Sequence, residues 1–151
     1  MFLNVCRIIA TFFCAGYAPK APGTAGTLAT LPLYGILRRL SLPRYLLATA
    51  VLGLIGVFVS QKMEDLWGKD PSRVVIDEVV GLLITLVSRP KGWREIGLGV
   101  LLFRAFDIIK PPPVGYVDRH VAGGAGIMAD DMIAGAISAF LLSLVSKKML
   151  R

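Results

Sequence analysis

Two adjacent aspartates, Asp130 and Asp131, stand at the mouth of the apolar stretch in GIMADDMIAG. Capping a helix N-terminus would account for one acid and leave its neighbour without a reason. The doubling recurs in VVIDEVVG, where Asp77 and Glu78 precede a run of valine, glycine and leucine. A helix dipole welcomes acids at that end. Paired carboxylates are also the hard oxygen ligands that Mg²⁺ takes, together with water and substrate phosphate. The third group is Arg104, Asp107 and Lys110 in FRAFDIIKPPP. The i, i+3, i+6 spacing places all three within about 120 degrees on a helix. An intrahelical Arg–Asp pair is one explanation. Ionisable groups flanked by GVLLF and II are costly unless they face a polar site, so the other is a phosphate site beside a metal ligand.

The remaining reactive side chains add little. Cys6 and Cys14 are eight apart in an apolar stretch and make neither a disulfide framework nor a zinc site. His120 is the sole histidine and sits in a polar segment. With no Cys–His pair and no Ser–His–Asp pattern, a covalent nucleophile is not indicated. PGTAGT (Pro22–Thr27) offers backbone N–H groups at a helix start, but it lacks the lysine and spacing of a P-loop.

These side chains must be held by apolar elements. Of the 151 residues, 55% are hydrophobic and 18% charged, with a net charge of +7. A mean hydropathy of +0.68 points to a membrane. A basic, apolar chain suits an anionic lipid surface, and no nucleic-acid motif is present. The start, MFLNVCRIIATFFCAG, lacks a basic region ahead of its apolar run and a convincing cleavage site, so it is expected in the mature fold. Five further apolar runs follow, at roughly 27–40, 44–60, 74–88, 96–109 and 132–146. They do not alternate at period two, which predicts helices. The expectation is a single all-α domain over 1–151, a compact multi-helix bundle. About five or six apolar helices would be embedded in a membrane. Breaks fall at KAPGTAGT, RRLSLPR, EDLWGKDPSR, SRPKGWRE and the long segment 110–131. Pro111 to Pro113 end the helix before them and push Lys110 out of helical geometry. Gly81 would let another helix pass closely, and Gly135, Ala139 and Ser143 form a small-residue stripe for helix packing.

Threading the runs alternately across a bilayer puts Glu64, Asp65, Asp70, Asp77, Glu78, Asp107, Asp118, Asp130 and Asp131 on one side, leaving only Glu95 on the other. Lysine and arginine divide almost equally and do not orient the chain. The acids therefore share one surface.

Read in order, APGTAGT, VVIDEVVG, FRAFDIIKPPPV and DRHVAGGAGIMADDMIAG resemble the phosphatidylglycerophosphatase A family over roughly residues 14 to 146. The resemblance implies an all-helical, bacterial, membrane-associated and Mg²⁺-dependent phosphatase. It would convert phosphatidylglycerophosphate to phosphatidylglycerol and phosphate, at the inner membrane with its site facing the cytoplasm. Carried over by residue, the catalytic and metal-binding carboxylates would be Asp77, Glu78, Asp107, Asp130 and Asp131. Gly23, Thr24, Arg104 and Lys110 would bind the substrate phosphate. The resemblance does not say which carboxylates ligate metal and which acts as base. Two other readings stand beside it: a soluble helical phosphatase acting on small phosphates, and a cation transport protein whose acids would spread through membrane depth.

Overall fold

Prolines, glycines and short polar stretches cut the chain into helices, and no strand occurs among the described residues. The computed structural model describes residues 1–149, with side chains to Ser146. The helices are α1 (Phe2–Ala10), α2 (Pro22–Leu37), α3 (Leu42–Trp67), α4 (Ile76–Thr85), α5 (Trp93–Ile109), α6 (Val114–His120) and α7 (Gly123–Met149). A 3₁₀ turn, Ala15–Tyr17, leads into α2.

The short α4 is the centre. Its sequence, IDEVVGLLIT, is apolar around its whole circumference after the first turn, and such a helix belongs inside. Val79, Val80, Leu82 and Leu83 are fully buried, each contributing about 1.5–3 kcal/mol relative to exposure. Helices α2, α3, α5 and α7 all pack on it. Carbonyls near its C-terminal end are satisfied from outside. Tyr45 Oη donates to Leu83 O at 2.6 Å and Tyr34 Oη to Pro90 O at 2.7 Å. Polar residues on the buried face of α2 are satisfied internally. Thr27 and Thr30 donate to the carbonyls of Gly23 and Gly26, four residues back, each at 2.8 Å.

Three expectations are corrected. First, PGTAGT is not a break: it forms the opening turns of α2, with Pro22 at a position that needs no N–H donor. Second, 110–131 is not one long loop. It contains α6, and α7 already begins at Gly123. The glycines of GGAGIM are poor helix formers alone. Packing against α3 overrides this, where the Gln61 side chain accepts from Gly124 N at 2.9 Å. Third, Lys110 leaves the helix, as its place before Pro111 predicts, so the expected common face of Arg104, Asp107 and Lys110 ends at Asp107. Lys110 takes a left-handed conformation (φ 48°, ψ 53°), because Pro111 bars it from a right-handed turn. The expectation of about five or six apolar membrane helices is met in part: among the described residues two helices, α3 and α7, are long and apolar enough to cross a bilayer.

The small-residue stripe is redrawn as well. The buried side of α7 runs through Asp131, Ala134, Gly135, Ser138 and Leu142, and Ala139 and Ser143 lie at its edge.

Candidate active site

The distance between α4 and α7 is set by two glycines. A Cβ added to Gly135 would lie 3.1 Å from the carbonyl carbon and 3.2 Å from the Cα of Gly81. One added to Gly81 would lie 2.9 Å from Asp131 O. The helices thus touch backbone to backbone. Asp77 precedes Gly81 by four residues, and Asp131 precedes Gly135 by four. One turn from the contact, the two aspartates therefore face each other. Glu78 joins them, and one oxygen from each of Asp77, Glu78 and Asp131 lies within 4.8 Å of the others.

Capping explains neither acidic pair. Asp77 and Glu78 occupy the first turn of α4, where the dipole favours them, but no side-chain cap hydrogen bond forms. Asp130 and Asp131 lie in the third turn of α7, far past any cap position. Both are buried.

Cations complete the cluster. Arg104 of α5 donates to Asp107 Oδ2, so the intrahelical pair exists. The same guanidinium lies 3.6 Å from Glu78 Oε1. Gly23 lets α2 approach this pair: a Cβ there would lie 3.0 and 3.1 Å from the Arg104 Nη atoms and overlap Glu78 Oε1, displacing both side-chain ends. Lys110, turned away from α5, donates to Asp130 Oδ2 and, at 2.7 Å, to Asp118 Oδ1. Burial alone would lower the Lys110 pKa, but these two carboxylates outweigh it and hold the ammonium above its ordinary value.

A cavity of about 490 Å³ opens over these groups. Eight carboxylates line it: Glu64, Asp70, Asp77, Glu78, Asp107, Asp118, Asp130 and Asp131. Four cations share it: Lys69, Arg104, Lys110 and Arg119. All eight acids belong to the surface expected from the alternating threading. Of the proposed site residues, Asp77, Glu78, Asp107, Asp130, Asp131, Gly23, Arg104 and Lys110 line the cavity. Thr24 does not; it is half-buried in the first turn of α2. Nor does His120, which is exposed, stacks on Tyr116 and bonds its carbonyl. Sequence reasoning gave no individual role to Lys69, Asp118, Arg119 or Glu64. The signal for Asp118 was the PPP break, after which a new helical turn brings it back towards Lys110.

The donor set fits a divalent cation. Asp77 Oδ1, Glu78 Oε2, Asp130 Oδ1 and Asp131 Oδ2 are buried with no hydrogen-bond partner. Buried polar atoms rarely stay unpartnered. Burial pushes the Asp77 carboxyl well above the usual carboxylate range, and the charges of Glu78 and Asp131 push it further. Eight acids against four bases also leave four formal negative charges in excess. Such a cavity repels a phosphate dianion unless added cations compensate.

The family model described as phosphatidylglycerophosphatase A matches residues 8–146. Phosphatidylglycerophosphatase A of Escherichia coli is 38% identical over 141 residues, covering 92% of this chain and 82% of its own. The Haemophilus influenzae protein of the same name is 36% identical over 151 residues, with 98% and 93% covered. A Bacteroides thetaiotaomicron protein, provisionally named a phosphatidylinositol-3-phosphatase, is 39% identical over 145 residues, with 90% of each chain covered. No solved structure matches. A family match over nearly the whole chain, with relatives well above 30% identity, is decisive: the chain belongs to the phosphatidylglycerophosphatase A family of phosphoric monoester hydrolases.

Proposed function

We propose that this protein hydrolyses the terminal phosphate monoester of phosphatidylglycerophosphate, releasing phosphatidylglycerol and inorganic phosphate, with Mg²⁺ as cofactor. The observation that carries the reading is the convergence of Asp77, Glu78 and Asp131, from two helices, with unpartnered oxygens beside Arg104. Asp77, Glu78 and Asp131 would hold the ion, with Asp107 beside them. When bound, Mg²⁺ would polarise the phosphoryl oxygens and make water more acidic.

The other roles belong to the chain. Arg104 presents a planar donor fork to the phosphoryl oxygens and spreads their charge. Lys110, fixed by Asp118 and Asp130, adds a second positive charge at the cavity wall. Asp130 keeps Oδ1 free while Oδ2 is held by Lys110. That free oxygen would take a proton from the attacking water. As the new P–O bond forms, the bond to the glycerol oxygen breaks, and the proton returns to the leaving alkoxide.

A membrane location follows the same reading. Helices α3 and α7 have the length and composition of spans. Leu47, Leu54 and Phe58 on α3 and Phe140 on α7 are exposed, a surface that lipid would cover. The headgroup layer would lie at the cavity, with the bacterial inner membrane and a cytoplasmic-facing site as the proposed setting. The test is phosphate release from phosphatidylglycerophosphate and other lipid phosphates, with Mg²⁺ and with EDTA. The expected result is release only with Mg²⁺ and chiefly from phosphatidylglycerophosphate. Full release in chelator would refute the metal, and equal release from every lipid would refute the selectivity.

A further inference from the structure

Helices α2 and α5 both pack on α4 and leave a trough between them. They run antiparallel. At one end Gly23 of α2 abuts the Arg104 fork, and at the other Tyr34 of α2 and Arg38, just past its end, donate to the backbone of Pro90 and Lys91, just before α5. The trough encloses about 610 Å³. Leu28 and Leu31 form one wall and Val100 and Leu101 the other. On α5 the line Trp93, Gly97, Val100/Leu101, Arg104 repeats at three to four residues, so one face of one helix leads from the trough to the catalytic cavity.

Two glycines in this trough have no reason within the chain. A Cβ on Gly35 or Gly97 would meet nothing within 4 Å. Interior helical glycine costs about 1 kcal/mol relative to alanine. Gly81 and Gly135 offset that cost through a backbone contact; Gly35 and Gly97 have none. They keep the trough open.

We propose that this groove holds one acyl chain of the lipid substrate, delivering the headgroup past Gly23 to Arg104. The inference rests on the lipid phosphatase reading above. Its dimensions agree. From Leu28 to Arg38 the wall is ten residues, about 15 Å at ~1.5 Å per residue. One leaflet of a ~30 Å hydrocarbon core is about as deep. The lining is apolar apart from Tyr34 and the far end, where Arg38 and Trp93 close it. A second copy of this chain, packing on the same glycines, is the competing occupant.

The test uses the full chain in mixed micelles with two phosphatidylglycerophosphates, one dioleoyl and one dihexanoyl. Gly97→Trp fills the groove from the α5 wall, and Gly35→Leu fills it from the α2 wall. The expected result is that each variant lowers the dioleoyl-to-dihexanoyl ratio of kcat/KM about tenfold. Gly97→Ala, which leaves most of the groove open, is expected to shift the ratio by less than about twofold. An unchanged ratio in both bulky variants would overturn the groove while leaving the phosphatase reading intact. So would dissociation of a wild-type dimer by Gly97→Trp at constant ratio, which would make the face a protein interface. Wild-type inactivity towards both lipids would overturn the phosphatase reading itself, and this inference with it.

Discussion

Along the crossing of α4 and α7, two levels one turn apart have opposite characters. At Gly81 and Gly135 the backbones are in contact, and the Phe103 ring packs against Gly81. At Asp77 and Asp131 the same two helices present carboxylates with buried, unpartnered oxygens. The first level is a packing solution. The second, taken alone, is a packing error, because it gathers like charges away from water. The difference teaches that the glycine contact exists to bring the carboxylates together. Close packing one turn below keeps the acids from spreading apart, so their repulsion is relieved by protonation or by a bound cation. On the proposed reading, stability is concentrated at one level and function at the other.

Substitutions at the two levels should therefore fail in different ways. The largest effect is expected at the polar level. Asp131→Asn keeps the shape and removes the charge, and should lower kcat by about 10²-fold or more. The melting temperature should hold or rise, since one repulsive charge is gone. Phosphate release at saturating Mg²⁺ and lipid, beside a thermal melt, reads both. A kcat within about twofold of wild type would mean that Asp131 has no part in the chemistry.

Gly135→Ala attacks the packed level. The added methyl would press on Gly81 backbone, which cannot rotate aside. Overpacking costs about 1–3 kcal/mol, and the gain in helix propensity returns about 1 kcal/mol at most. A net loss of about 1–2 kcal/mol is expected in denaturant unfolding, with activity falling because the helices part. If the variant were as stable as wild type, the two levels would not be mechanically linked.

The smallest effect is expected at Lys110, which belongs to neither helix. Lys110→Met removes the charge held by Asp118 and Asp130. It should raise KM about tenfold with a smaller change in kcat, so that higher substrate recovers part of the rate. An equal fall in kcat and kcat/KM would instead assign Lys110 to the transition state alone.

How much of this was legible beforehand varied from segment to segment. The acidic pairs were visible because capping or a helix dipole accounts for one carboxylate and leaves its neighbour unexplained. Their common surface was visible too, since alternating apolar runs impose parity on the loops between them. The start of α7 was misplaced. Glycine's low propensity argued for a loop at GGAGIM, and the Gln61 contact that makes it helical comes from a residue 63 positions away. The position of Lys110 was read half correctly. The prolines expelled it from the helix, but its reach to Asp118 and Asp130 depends on α6, hidden inside a segment dense with proline and glycine.

The sequence by itself determined the chemistry on offer: hard oxygen ligands, two cations among them, an all-helical scaffold and a greasy exterior. These follow from residue type and period, which are local properties. Only the tertiary structure decided which carboxylates meet, that Arg104 bridges towards Glu78, that Thr24 stays out of the cavity, and that Gly35 and Gly97 face open space while Gly81 and Gly135 face each other. Four glycines in helices look alike along a chain. What separates them is the distance to a neighbour that the chain reaches only after it has folded.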